Sequence, residues 1–112
     1  MEKDMPTLSF ENVKVLHNWL EANHDTSKGI FVRVYKKNSR INSVSFEELL
    51  DEGLCFGWSE SIRLRGNNTS FLQKFTPRKV KGTTSKRNLQ HIARLVQEGR
   101  MTPAGLRALG II

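Results

Sequence analysis

Apolar and polar positions along this chain change period several times, and each change marks a new element. Val13, Leu16 and Leu20 recur at three- and four-residue intervals, with Val15 and Trp19 beside them. That period belongs to a helix with one apolar face, predicted over residues 11–23 and capped by Ser9 or Asn12. Asn23, Asp25, Ser27 and Gly29 then break the pattern. Residues 30–36 are β-branched and aromatic and predict a strand. Ile30, Val32 and Val34 share one of its faces and Phe31, Arg33 and Tyr35 the other, so cover on both sides is expected.

Ser45-Phe46-Glu47-Glu48 is a capping box, in which a hydroxyl and a carboxylate three residues on satisfy each other's backbone donors. It opens a second helix to about Leu54, with Leu49, Leu50 and Leu54 on its apolar face and Gly57 as its breaker. Residues 58–65 and 71–76 follow as two strands joined by Gly66-Asn67-Asn68-Thr69, which is hairpin chemistry. After Pro77 a basic stretch leads to Ser85, the expected cap of a third helix to about Glu98. Leu89, Ile92, Ala93 and Val96 form its predicted buried stripe, with Leu95 at the margin. Thr102-Pro103 restarts a short fourth helix that docks through Leu106 and Leu109.

The order α-β-α-β-β-α-α predicts an α+β fold: a small, mainly antiparallel sheet of about three strands, including a hairpin, covered by three to four helices. Residues 1–8 read as a loose leader and 9–112 as one domain. Trp19, Val32, Leu50, Trp58, Leu89, Ile92 and Leu106 are expected in a single core.

Composition narrows the setting. The 112 residues, 38% hydrophobic and 26% charged, suit one folded domain. A single cysteine, Cys55, excludes an intrachain disulfide and fits a reducing compartment. The N-terminus lacks a basic start followed by an apolar stretch, and no apolar run approaches the ~20 residues needed to cross a bilayer. A cytoplasmic location is therefore expected.

Charge changes the picture most. Between Glu60 and Arg87 stand eight basic residues: Arg63, Arg65, Lys74, Arg78, Lys79, Lys81, Lys86 and Arg87. Glu60 is the one acid there, so this segment accounts for the whole net charge of +7. The rest of the chain holds ten basic and ten acidic residues. Such a field attracts anions. The bland counterpart is a solvated surface of one sign.

Candidate chemistry beyond that is sparse. His17 and His24 sit seven apart on the first helix, His91 lies far off in sequence, and a helical metal site prefers ligands three or four apart. No cofactor or metal is implied. Cys55, near a helix C-terminus beside Phe56 and Trp58, reads as a small buried hydrophobe. Glu60 reads as an ion-pair partner for Arg63 or Arg78. The sequence has no glycine-rich phosphate loop, serine elbow or dinucleotide fingerprint. The remaining constellation runs from Phe75 through Arg78, Lys79 and Lys81 to Ser85, Lys86, Arg87 and Asn88, where a helix N-terminus and a guanidinium suit phosphate or carboxylate. The candidate anion-binding set is Arg63, Arg65, Arg78, Lys79, Ser85, Lys86 and Arg87, with Trp58, Glu60 and Asn88 as a candidate pocket.

Cys55-Phe56-Gly57-Trp58, Phe75-Thr76-Pro77-Arg78-Lys79, Ser85-Lys86-Arg87-Asn88 and the run from Gly99 to Leu106 resemble the bacterial YdeI/OmpD-associated family, also called bacteriocin-protection proteins. The likeness covers nearly the whole chain in order. It departs at Ser59-Glu60-Ser61, where the family usually has Ile-Asp-Gly, and at Gly82-Thr83-Thr84-Ser85, which keeps only the last serine of a Ser-x-Trp-Ser element. The resemblance implies a part in envelope stress or antimicrobial-peptide resistance, and no particular enzymatic activity follows from it. The expectation is thus a non-enzymatic anion-binding or interaction domain, its partner a phosphate-like group, an acidic protein or a nucleic acid. The alternatives are a small enzyme with a site around Trp58, Glu60 and Arg78, and a nucleic-acid-binding module using residues 60–87.

Overall fold

A computed structural model describes residues 5–79 and 86–112, and of Arg87 the backbone alone. The fold is α+β, with four helices and a four-stranded mixed sheet among these residues. The elements are β1 (Thr7–Leu8), α1 (Val13–Asn23), β2 (Ile30–Tyr35), α2 (Phe46–Phe56), β3 (Trp58–Asn67), β4 (Ser70–Pro77), α3 (Lys86–Gln97) and α4 (Pro103–Ala108). The strand order is β1-β2-β4-β3, with β1 parallel to β2 and the other two pairs antiparallel.

Strand β1 corrects the expectation of three strands and a leader reaching residue 8. Thr7 and Leu8 pair with Phe31 and Val32, and the Pro6 carbonyl accepts from the Phe31 N–H at 2.9 Å. Two residues carry too little periodicity to show as a strand, and the free edge of β2 supplies the missing partner.

Local chemistry sets most boundaries as the sequence predicts. Asn12 caps α1 by accepting from the Val15 N–H at 3.0 Å. Both halves of the Ser45/Glu48 capping box form. Gly57 ends α2 at φ 78°, and a Cβ there would lie 2.5 Å from the Ala108 Cβ. Thr102 caps α4 and also donates its hydroxyl to the Cys55 carbonyl, which ties α4 to the end of α2. The hairpin is tighter than predicted, turning on Asn68 and Thr69 alone, with the Asn67 side chain accepting from Thr69 and Ser70.

The core lies between one sheet face and the helices. Ile30, Val32, Val34 and Phe75 meet Leu16, Leu20, Leu49 and Leu54 there. Trp58 is 1% exposed, packs against Phe75 and Trp19, and donates its indole N–H to the His24 carbonyl at 3.2 Å. Trp19 and Leu106 are half-buried, while Val32, Leu50 and Ile92 are buried as expected. Leu89 is a correction, because it is 54% exposed, as is Val96 at 51%. The buried stripe of α3 runs through Ile92 and the fully buried Leu95, one step round the helix from the stripe predicted. Helix α3 rests its side on α2, where Asp51 takes Arg94, and this contact fixes its rotation. No helix among the described residues is long and apolar enough to cross a membrane.

Candidate functional site: the cationic hairpin and its surroundings

Alternation and register distribute the basic residues of the hairpin. Phe75, Gln73 and Phe71 of β4 stand opposite Ile30, Val32 and Val34, so they share the helix-covered face. Glu60, Arg63 and Arg65 pair with Phe75, Gln73 and Phe71 and therefore lie on that same face. Lys74 pairs with Phe31 and lies on the other. A bulge between Glu60 and Arg63 keeps this order, and the buried Gln73 amide satisfies it by donating to the Ile62 carbonyl at 3.1 Å.

The structure does not bring the candidate anion ligands to one point. The Arg63 guanidinium stacks 4.0 Å from the Phe71 ring and 5.2 Å from Phe46, a cation–π clamp joining β3 to the start of α2. Arg65 is exposed near the turn. Arg78 and Lys79 lie at the opposite end of the hairpin, where the Arg78 N–H donates to the Gly57 carbonyl at 2.9 Å. At about 3.3 Å per residue, the two ends of the hairpin are about 25 Å apart. Lys86 is exposed on the first turn of α3 and Asn88 is half-buried. Ser85 and its expected cap, together with Lys81, lie outside the described residues, as does the Arg87 side chain.

Glu60 takes Arg78 as its electrostatic partner, while Arg63 goes to the aromatic rings. Burial pushes the Glu60 carboxyl above its usual range, against a backbone hydrogen bond and the Arg78 charge. Burial likewise lowers the Arg78 pKa, and Glu60 opposes that shift. Trp58, expected beside Glu60 and Asn88 in a pocket and beside Glu60 and Arg78 in an enzyme site, is enclosed in the core. Burial, followed by the negative charge of Glu52, pushes the Cys55 thiol up to about 12, which keeps it a thiol and not a nucleophile. A shallow depression lined by Ser9, Glu11, Val15, Tyr35, Ile41 and Asn42 lies near the β1 edge of the sheet.

Sequence reasoning missed a second charged cluster on α2. Glu52 is 3% exposed and holds His17 Nδ1 at 2.9 Å and Arg100 Nη2 at 2.9 Å. Asp51 beside it accepts from Arg94 at 2.7 Å, and this hydrogen bond raises the Arg94 pKa. Glu98 joins Arg94 and Arg100 at 3.4 and 3.3 Å. One signal was available: Glu52 falls three residues after Leu49 and four before Phe56, on the apolar stripe, where a carboxylate needs a partner. Its partners lie 35 and 48 residues away, beyond any local pattern. Among the described residues, no three His, Cys, Asp or Glu side chains are grouped to hold a metal ion.

A small basic α+β domain with a cationic hairpin is the class that this geometry defines. The chain belongs to the family described as Domain of unknown function (DUF8412), which it matches over residues 8–108. No curated protein and no solved structure matches it.

Proposed function

We propose that this domain is a non-enzymatic binding module for an extended anionic partner, held along the β3–β4 hairpin. The observation that carries the reading is the unequal use of charge. Arg94 and Arg100 are engaged by Asp51, Glu52 and Glu98, whereas the segment from Glu60 to Arg87 sets eight cations against one carboxylate. The spread of Arg65 and Lys79 to opposite ends favours a polyanion over a single phosphate group. A field of one sign along the hairpin raises the local concentration of anions and speeds their encounter. The likeness to YdeI/OmpD-associated proteins supports a setting in envelope stress or antimicrobial-peptide resistance, and the buried Cys55 thiol supports a reducing, cytoplasmic compartment.

Titration with polyglutamate and with a mixed-sequence oligonucleotide, repeated over a salt series, tests the reading. Binding is expected at low salt and should fall as salt rises, since exposed charges are screened over about 8 Å at physiological ionic strength. The Arg65→Ala/Lys79→Ala variant should lose more affinity than Lys36→Ala/Lys37→Ala, which removes two exposed lysines outside the segment. Equal losses would reduce the attraction to overall charge, and no binding at low salt would end the proposal.

A further inference from the structure

We infer that the free edge of β3 accepts an extended acidic segment of a partner protein as a further strand of the sheet. The inference rests on the anionic-partner reading above and names the partner and the way it is held. β3 stands at the end of the strand order, so among the described residues β4 is its one neighbour in the sheet. The opposite edge, β1, is two residues long and offers little to pair with. β3 has ten residues, and Ser61, Ile62, Arg63, Leu64 and Arg65 are all exposed. Successive side chains of a strand point to opposite faces, so exposure of all five leaves both faces and the edge between them open to solvent.

Hydrogen bonding shows which backbone groups look out from that edge. Along an antiparallel strand, alternate residues turn their N–H and C=O groups to the same side. The Phe31 N–H goes to Pro6, so Phe31 faces β1, while Ile30, Val32 and Val34 face β4. Their partners Phe75, Gln73 and Phe71 face β2 in return, which turns Thr76, Lys74, Leu72 and Ser70 towards β3. The bond from the Arg78 N–H to the Gly57 carbonyl keeps this phase. Leu64, opposite Leu72, therefore spends its backbone groups on β4, and Arg63 and Arg65 on either side of it turn theirs outward. Bulges flank this stretch, but between them the register of Arg63, Leu64 and Arg65 with Gln73, Leu72 and Phe71 is regular. An N–H and a C=O from each arginine are thus presented in strand geometry.

Charge selects the occupant. Arg65 is exposed, and the Arg63 guanidinium meets aromatic rings, which leave its charge in place. A second copy of this chain, paired antiparallel about Leu64, would set each arginine against an arginine, and like charges directly opposite destabilise a strand pair. A nucleic acid has no amide ladder to offer. A strand that alternates glutamate with a β-branched residue would put a carboxylate opposite each arginine and an apolar side chain beside Leu64, while its backbone closes the ladder.

The experiment uses the full chain and a peptide alternating Glu and Val, long enough to span the exposed stretch of about 17 Å at about 3.3 Å per residue. N-methylation of its glutamate amides blocks the donors that would face β3, and affinity should fall at least about tenfold. N-methylation of its valine amides, which would face away, should change affinity by less than about twofold. The Arg63 and Arg65 amides should exchange with solvent quickly in the free chain and slowly with the peptide bound, whereas the Leu64 amide should be slow throughout. Arg65→Glu, at an exposed position, should keep the melting temperature and weaken the peptide about fivefold. Equal losses from the two methylations, or unchanged exchange at Arg63 and Arg65, overturn this inference, and continued binding of polyglutamate then leaves the anionic-partner reading standing. Dimerisation that slows those two amides without peptide assigns the edge to a second copy and overturns it. Slowing of the same amides by an oligonucleotide and not by the peptide overturns it as well. Binding of neither the peptide nor polyglutamate at low salt overturns it together with the reading on which it rests.

Discussion

On the helical side of this molecule Asp51, Glu52 and Glu98 each meet Arg94, Arg100 or His17 within 2.7–3.4 Å. On the hairpin, Glu60 faces the charge of Arg78 while Arg65 and Lys79 stand exposed. Both regions are rich in charge, yet in one the charges join α1, α2 and α3, and in the other they leave a field pointing outward. Arg63 qualifies the contrast, since its place over Phe46 and Phe71 gives one hairpin cation a structural task. Net charge along a sequence therefore overstates the cations available to a ligand, and packing decides which remain.

The contrast breaks or holds first at Glu52. Glu52→Ala leaves His17 and Arg100 facing a vacated buried position. Since both are partly exposed and regain water, the cost should fall at or below the lower end for breaking a buried pair, about 2 kcal/mol. Denaturant unfolding measures it, and a midpoint matching the parent would place the network outside the stability of the fold.

A smaller loss is expected from Arg94→Ala. Its partner Asp51 is better shielded than Arg94 itself, which is 41% exposed, so the pair should be worth about 0.5 kcal/mol. A loss as large as that at Glu52 would show the two halves of the cluster acting as one unit.

Glu60 gives a prediction in pH. Burial raises its folded-state pKa, so the fold favours the protonated acid. That contribution is present below the ordinary glutamate value and is lost as pH rises through the raised one. Relative to Glu60→Gln, the parent should lose stability over that interval, and unfolding curves at acid and neutral pH read the difference. A parent that gains on the variant as pH rises would show that Arg78 outweighs burial.

The smallest effect on stability should come from Arg65→Ala/Lys79→Ala. Both side chains are exposed, so the midpoint should stay within error while polyanion binding falls. A clear loss of stability would move these cations to the structural side of the contrast.

Local chemistry was readable along the chain. Asn12, the Ser45/Glu48 box, Gly57 and Thr102-Pro103 act within four residues of the groups they satisfy, so a sequence window contains both partners. The α2 stripe and the alternation of β2 were legible for the same reason. Strand β1 was not, since two residues carry no period, and neither was the rotation of α3, where Leu89 and Leu95 are both apolar and only contact with α2 separates them. Of the candidate site, the identity of the cations was legible and their arrangement was not. The bulge at Glu60–Arg63 sets which side of the sheet each residue takes, and the approach of Phe46 captures Arg63.

The sequence by itself determined an α+β domain, its capped helices, its hairpin and a cationic middle third. Tertiary structure alone decided that Glu52 would be buried with partners 35 and 48 residues away, and that the cations would divide between two faces and two ends. The physical reason is range. Caps, turns and periodicity act over a few residues, whereas ion pairing, strand register and burial depend on which distant segments the fold brings together.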